Sequence, residues 1–186
     1  MAKLYFRYGT VSSAKTLNLL ATVHNYEQQN KRAVLVKPCL DTRSELVTSR
    51  AGLEHAADII IKKDESFLSY SHILQHCDAV VVDEVQFLSQ DQIKELRLIT
   101  IGKLGNLDIN PTPVLCYGLR TTSEAELWDS IKVLMALADS IEEVKTTCAF
   151  CNRKAVFSKS ISEDIRGVVL SWDAFIPVCA NHYYGE

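Results

Sequence analysis

Short runs of branched and apolar residues recur along this chain, at residues 3–8, 33–36, 58–61, 78–82 and 114–118. Most are continuously apolar rather than alternating, which fits strands buried on both faces. Between them lie stretches with helical spacing. Leu17, Leu20, Ala21 and His24 share one face of a helix from residue 16 to about 30. Phe67, Tyr70, Ile73 and Leu74 mark another over 66–75, and Ser89 can cap a third that runs to Gly102 with Ile93, Leu96 and Ile99 inward. Leu127, Ile131, Leu134 and Ala138 predict a helix over 124–138, with a strand over 140–146. Residues 44–50 read as a mobile polar loop, 53–57 as a short helical turn, and 102–113 as a polar connection. Strands alternating with helices predict an α/β fold, a mainly parallel sheet flanked by helices.

The first strand runs into Gly9-Thr10-Val11-Ser12-Ser13-Ala14-Lys15-Thr16. A phosphate-binding P-loop reads Gly, four free positions, Gly, Lys, Ser or Thr. Seven of these eight positions satisfy it, and Ala14 stands where the second glycine is expected. In such a loop successive backbone N–H groups face an anion, and the following helix adds positive potential. Lys15 would reach the terminal phosphates and the Thr16 hydroxyl would ligate Mg²⁺. A strand-to-helix turn with an exposed lysine would look the same in isolation. A second feature decides between them. Asp78-Ala79-Val80-Val81-Val82-Asp83-Glu84 is an apolar strand ending in two acids. Asp83 is placed to hold the Mg²⁺ shell opposite the loop, and Glu84 to accept a proton from a substrate hydroxyl. The fold class is then P-loop NTPase-like.

Past Thr147 the character changes. Cys148-Ala149-Phe150-Cys151 and Cys179-Ala180-Asn181-His182 form two hooks separated by 27 residues. Three thiolates and one imidazole suit tetrahedral zinc, and four protein ligands leave no open position, so the metal would be structural. The segments 155–157 and 168–170 are expected to pair as a hairpin between the hooks. The chain of 186 residues divides into a P-loop α/β domain at 1–146 and a zinc lobe at 147–186. Cys39, Cys77 and Cys116 stand apart in or beside apolar segments and read as free thiols. The start of the sequence lacks the apolar core of a signal peptide, and no apolar run approaches a membrane span. With a net charge of −3 and no basic stripe, neither membrane nor nucleic acid is expected as a partner, and the expected location is the cytoplasm.

Taken in order, these motifs resemble the thymidine kinases of the cellular, zinc-containing type. The resemblance also takes in Asp41-Thr42-Arg43, Val82-Asp83-Glu84-Val85-Gln86-Phe87-Leu88 and Cys116-Tyr117-Gly118-Leu119-Arg120-Thr121. It implies transfer of the ATP γ-phosphoryl group to the 5′-hydroxyl of thymidine, giving thymidine monophosphate for DNA synthesis. It further implies Glu84 as the catalytic base, Gln86 in the nucleotide site and Phe87 near the thymine pocket. Lys15, Thr16, Asp83 and Arg43 would serve the phosphates and Mg²⁺. A lasso anchored by the zinc lobe would bind the nucleoside through Val168, Val169, Leu170 and Phe175, in a homotetramer.

The departures fall mostly on the nucleoside side. Thr122-Ser123 replace the usual Asp-Phe, and Leu170-Ser171 replace the glycine pair of the lasso. Phe175 replaces a tyrosine, and Ser130-Ile131 follow Trp128 where Gly-Ser is usual. Three alternatives therefore remain: a kinase for another nucleoside, a nucleotide-binding paralogue without catalysis, and a P-loop ATPase acting on a macromolecule.

Overall fold

A computed structural model describes residues 1–40, 46–161 and 174–185. Arg43, Val168, Val169 and Leu170 lie outside the described residues.

In chain order, β1 (Leu4–Tyr8) leads through the loop to α1 (Lys15–Gln28), then β2 (Ala33–Pro38). The short strands β3 (Leu46–Thr48) and β4 (Glu54–Ala56) precede β5 (Ile59–Ile61). A 3-10 turn at Phe67–Tyr70 runs into α2 (Ser71–Leu74), followed by β6 (Ala79–Val82) and α3 (Gln90–Thr100). Two-residue strands β7 (Lys103–Leu104) and β8 (Leu107–Asp108) form a small hairpin before β9 (Val114–Gly118). Helix α4 (Asp129–Leu137) and β10 (Ser140–Glu143) complete the main sheet. The antiparallel pair β11 (Phe157–Ser160) and β12 (Phe175–Val178), with α5 (Ala180–Tyr184), forms the C-terminal part.

The six-stranded sheet is ordered β10-β1-β9-β6-β2-β5, with every pair parallel. Its apolar runs are continuous because both faces are covered. Phe6, Val34, Val36, Val80, Val82 and Cys116 pack under α3 and α4, while Leu35, Val81, Leu115 and Tyr117 meet Leu19, Leu20 and Val23 of α1. Both edge strands, β10 and β5, are short, as edges usually are. The α3 start has the anticipated cap: Ser89 Oγ accepts from the Gln92 N–H, and Gln92 Oε1 accepts from the Ser89 N–H.

Several local expectations are corrected. Residues 46–48 and 54–56 are the strands of an antiparallel hairpin, not a loop and a helical turn. Gly52, at φ +83°, turns the chain, and Val47 is buried. With only three residues per strand, the pattern is too short to carry periodicity. The last sheet-flanking helix starts at Asp129 rather than 124, because Thr121 bridges Leu127 and the Thr122 N–H donates to the Glu126 carbonyl at 2.8 Å. Hydroxyls at 121–123 favour such local turns over a first helical turn. The strand from Phe157 pairs with 175–178, and residues 168–170, expected as its hairpin partner, lie outside the described residues.

Candidate active site

The carboxyl ends of β1, β2 and β6 meet at one cleft of about 670 Å³, a volume suited to a small-molecule ligand. Its lining includes residues 11–17, Lys37, the β3–β4 hairpin from Leu46 to Ala51, and both acids of the β6 end, Asp83 and Glu84. Gly9 and Thr10 begin the loop just outside it. Gly9 cannot carry a side chain, since a Cβ there would stand 2.3 Å from Ser13 Oγ and 2.5 Å from the Val144 carbonyl. Ser12 and Ala14 both have φ +60°. Ala14 therefore takes the left-handed conformation for which glycine is the ordinary residue.

Lys15 is buried and folds back into the loop, donating to the Thr10 carbonyl at 2.7 Å and to Ser13 Oγ at 3.3 Å. Burial pushes its ammonium below the ordinary lysine range; Arg50 adds to this, and the carboxylates of Glu84 and Asp83 oppose it. The Thr16 hydroxyl lies 3.5 Å from Asp83 Oδ2. A hydroxyl and a carboxylate on adjoining element ends are the hard oxygen donors Mg²⁺ takes in phosphate sites, so this pair fits the ion. Arg50 reaches the loop from the hairpin and donates to Ser12 Oγ at 2.8 Å. Val11 is tied from the other side, its N–H donating to Ser158 Oγ of β11 at 3.1 Å.

Glu84 follows β6 with φ +47°. Its N–H donates to Asp83 Oδ1 at 3.1 Å, and its Oε2 accepts from Gln86 Nε2 at 2.6 Å. Gln86 is buried and its Oε1 accepts from the Leu119 N–H at 3.0 Å. Phe87 lies outside the cleft lining and meets Trp128 edge-on, with ring centroids 5.5 Å apart. Phe175 begins β12, opposite Ser160.

The second constellation is compact. His182 Nδ1 lies 3.4, 3.6 and 3.3 Å from the sulfurs of Cys148, Cys151 and Cys179, and Cys151 Sγ lies 3.8 Å from Cys179 Sγ. One ring nitrogen cannot share a hydrogen with three sulfurs. These are instead the edges of a ligand polyhedron. Zinc–sulfur bonds of about 2.3 Å and zinc–nitrogen bonds of about 2.0–2.1 Å, arranged tetrahedrally, put sulfurs about 3.8 Å apart and sulfur and nitrogen about 3.6 Å apart. The donor set fits zinc. Burial opposes ionisation of Cys148, yet the N–H groups of Phe150 and Cys179 and the His182 ring bring the thiol down to about 6, the thiolate character a metal ligand needs.

The profile of the family described as thymidine kinase matches residues 2–183. The chain belongs to the thymidine kinase family. It is 36% identical over 193 aligned residues to a thymidine kinase of Streptococcus agalactiae, covering 99% of this chain and 98% of that one. Thymidine kinases of Streptococcus gordonii and Streptococcus pyogenes match at 34% and 33% identity, again over 99% of this chain and 97% and 98% of theirs. For a thymidine kinase family member, the sequence motifs locate the loop, the paired acids and the cysteines. They give no sign of Lys37, Arg50 or Ser158. Lys37 follows an apolar run, Arg50 sits in an irregular polar stretch, and Ser158 comes from beyond the main sheet. Only the folded chain brings Arg50 and Ser158 to the loop and Lys37 to the cleft wall.

Proposed function

We propose that this protein transfers the γ-phosphoryl group of ATP to the 5′-hydroxyl of thymidine, yielding thymidine monophosphate and ADP for DNA synthesis. The observation that carries the chemistry is the convergence of Lys15, Thr16, Asp83 and Glu84 on one cleft. Family membership carries the acceptor. The loop N–H groups and Lys15 bind and orient the phosphates, with Arg43 as a further cation. Thr16 and Asp83 would hold Mg²⁺, which when bound neutralises charge developing on the phosphates. The 5′-oxygen attacks the γ-phosphorus, the bond to the β–γ bridging oxygen breaks, and its electron pair leaves on ADP. Glu84 takes the proton of the attacking hydroxyl. A primary alcohol needs such a base, whereas an ATPase would have to position water there instead.

Phe87 and Phe175 are assigned to the thymine pocket, with Val168, Val169 and Leu170 as the lasso over the base. Residues 147–186 act as a zinc lobe that anchors the lasso, and 1–146 as the ATP-binding domain. Assembly as a homotetramer and a cytoplasmic location complete the reading. No helix among the described residues is long and apolar enough to cross a membrane. The deciding experiment assays a panel of nucleosides with labelled ATP and Mg²⁺. Labelled thymidine monophosphate is the expected product. Transfer to deoxyuridine or another nucleoside in preference to thymidine would reassign the acceptor. Nucleotide binding without transfer to any acceptor would remove the kinase reading.

A further inference from the structure

We infer that Gln86 is a positioning residue for Glu84, fixing the orientation of the proposed base's carboxylate, rather than a contact for the nucleotide. This rests on the kinase reading of the cleft. The resemblance groups Gln86 with the nucleotide site, but its side-chain amide is already engaged at both ends. The Leu119 N–H can only donate, so the atom it meets at 3.0 Å must be Gln86 Oε1. That fixes the orientation of the amide and turns Nε2 toward Glu84 Oε2, 2.6 Å away. The carboxylate is thus linked through one side chain to the backbone just past β9. Gln86 is 3% exposed, is absent from the lining of the phosphate cleft, and has its own carbonyl held by Ser130 Oγ at 2.8 Å.

Two further observations belong to the same device. Glu84 sits at φ +47°, a conformation that persists in a non-glycine residue only where neighbours over-determine it. The Asp83 carboxylate, the Phe87 N–H bonded to the Glu84 carbonyl at 3.0 Å, and the Gln86 amide together do so. Gly118 makes room, since a Cβ there would stand 2.4 Å from Gln86 Oε1 and 2.9 Å from Val85 Cγ1. The glycine of Cys116-Tyr117-Gly118-Leu119 is therefore explained by the seat it leaves for the glutamine amide. Ser130, one of the departures from the family pattern, supports the same residue from α4.

The test is Gln86→Met, which keeps length and bulk and removes both hydrogen bonds. It is assayed for kcat and for KM toward ATP and thymidine, alone and in a Glu84→Gln background by single turnover with labelled ATP. The expected result is a loss of about 10- to 100-fold in kcat, with both KM values within about threefold, and no further loss once Glu84 is gone. A raised KM for ATP with unchanged kcat would return Gln86 to the nucleotide site. An equal loss in both backgrounds would make its role merely structural. Either result overturns the inference. If the Met variant does not fold, Gly118→Ala, which displaces the amide without deleting it, is expected to give the same kcat loss; unchanged kcat there overturns the inference as well. Failure of the wild-type protein to phosphorylate any nucleoside in the same assay would instead overturn the kinase reading.

Discussion

Around Lys15, Asp83 and Glu84 the side chains are fixed from beneath, by the paired ends of β1, β2, β6 and β9 and a core packed on both sheet faces. Around His182 there is little beneath. The apolar cluster of the C-terminal part has Cys148, Val178 and Cys179 as its buried members, so two of the three are ligand candidates themselves. The first region inherits its geometry from a sheet that exists for other reasons. The second depends on what its own donor atoms bind. Chemistry should therefore be removable from the first without loss of fold, whereas in the second site and fold should fail together.

The sharpest way to break this contrast is Glu84→Gln. Loss of a general base costs about 10²–10⁴-fold, and kcat is expected to fall by about 10³, with the thermal midpoint within a few degrees of wild type. Single-turnover assays and calorimetry on the same preparation measure both. A variant that retained full turnover would remove Glu84 from the base role. One that unfolded would show the acid to be part of the scaffold, which the contrast denies.

Next in size is the metal. One zinc per chain is expected, and removing it with a chelator or by Cys151→Ser should deprive the lobe of most of its folding free energy, since structural zinc supplies about 10–16 kcal/mol in small domains. Amide exchange should accelerate across β11 and β12 while β1, β6 and β9 stay protected. Protected β11 and β12 amides in a metal-free protein would show that Phe157, Ile176 and Tyr183 suffice as a core. Accelerated exchange at the Val11 amide would show how far the two regions communicate, because Ser158 joins them.

The same contrast explains what the sequence made legible. The sheet strands stood out because continuous apolar runs mark burial on two faces, and the loop, the paired acids and the metal hooks because their chemistry constrains spacing within a few residues. What stayed hidden depends on contacts distant in sequence. Hairpin β3–β4 has three-residue strands and a polar turn, so nothing in the sequence outweighs a loop at 44–50 and a helical turn at 53–57; the burial of Val47 against the α1 face arises only in the folded chain. The role of Gln86 needs Leu119, which lies 33 residues away. The start of α4 was overestimated because Leu127 keeps helical spacing with Ile131 while the backbone before it is held by Thr122.

A smaller effect is expected at Ala14. Its left-handed backbone costs an alanine about 1 kcal/mol relative to glycine, and part of this is offset by the greater freedom glycine has in the unfolded chain. Ala14→Gly should stabilise the protein by about 0.5–1 kcal/mol, read as a shift in denaturant midpoint at unchanged slope. A destabilised variant would mean that the alanine methyl makes contacts worth more than the strain.

The smallest effect sits in a part of the phosphate region that the sheet does not hold. Hairpin β3–β4, which brings Arg50 to the loop, is tied to α1 by His55 Nε2 and Glu27 Oε1 at 3.0 Å, both partly exposed. Burial lowers the proton affinity of His55, but the Ala56 carbonyl and Glu27 outweigh it and raise the pKa above 6.5. A folded-state pKa above the unfolded one makes the imidazolium a stabilising form. Its contribution is complete below the unfolded pKa and disappears as pH rises through the folded value. Exposure and salt limit it to a few tenths of a kcal/mol. Glu27→Gln should therefore lower stability measured at pH 5.5 and leave it unchanged at pH 8.5, and added salt should shrink the difference. An equal loss at both pH values would assign the tie to neutral hydrogen bonding. Its small size follows from where it lies: both partners are partly exposed, and the buried Val47 already seats the hairpin against the core on the α1 side.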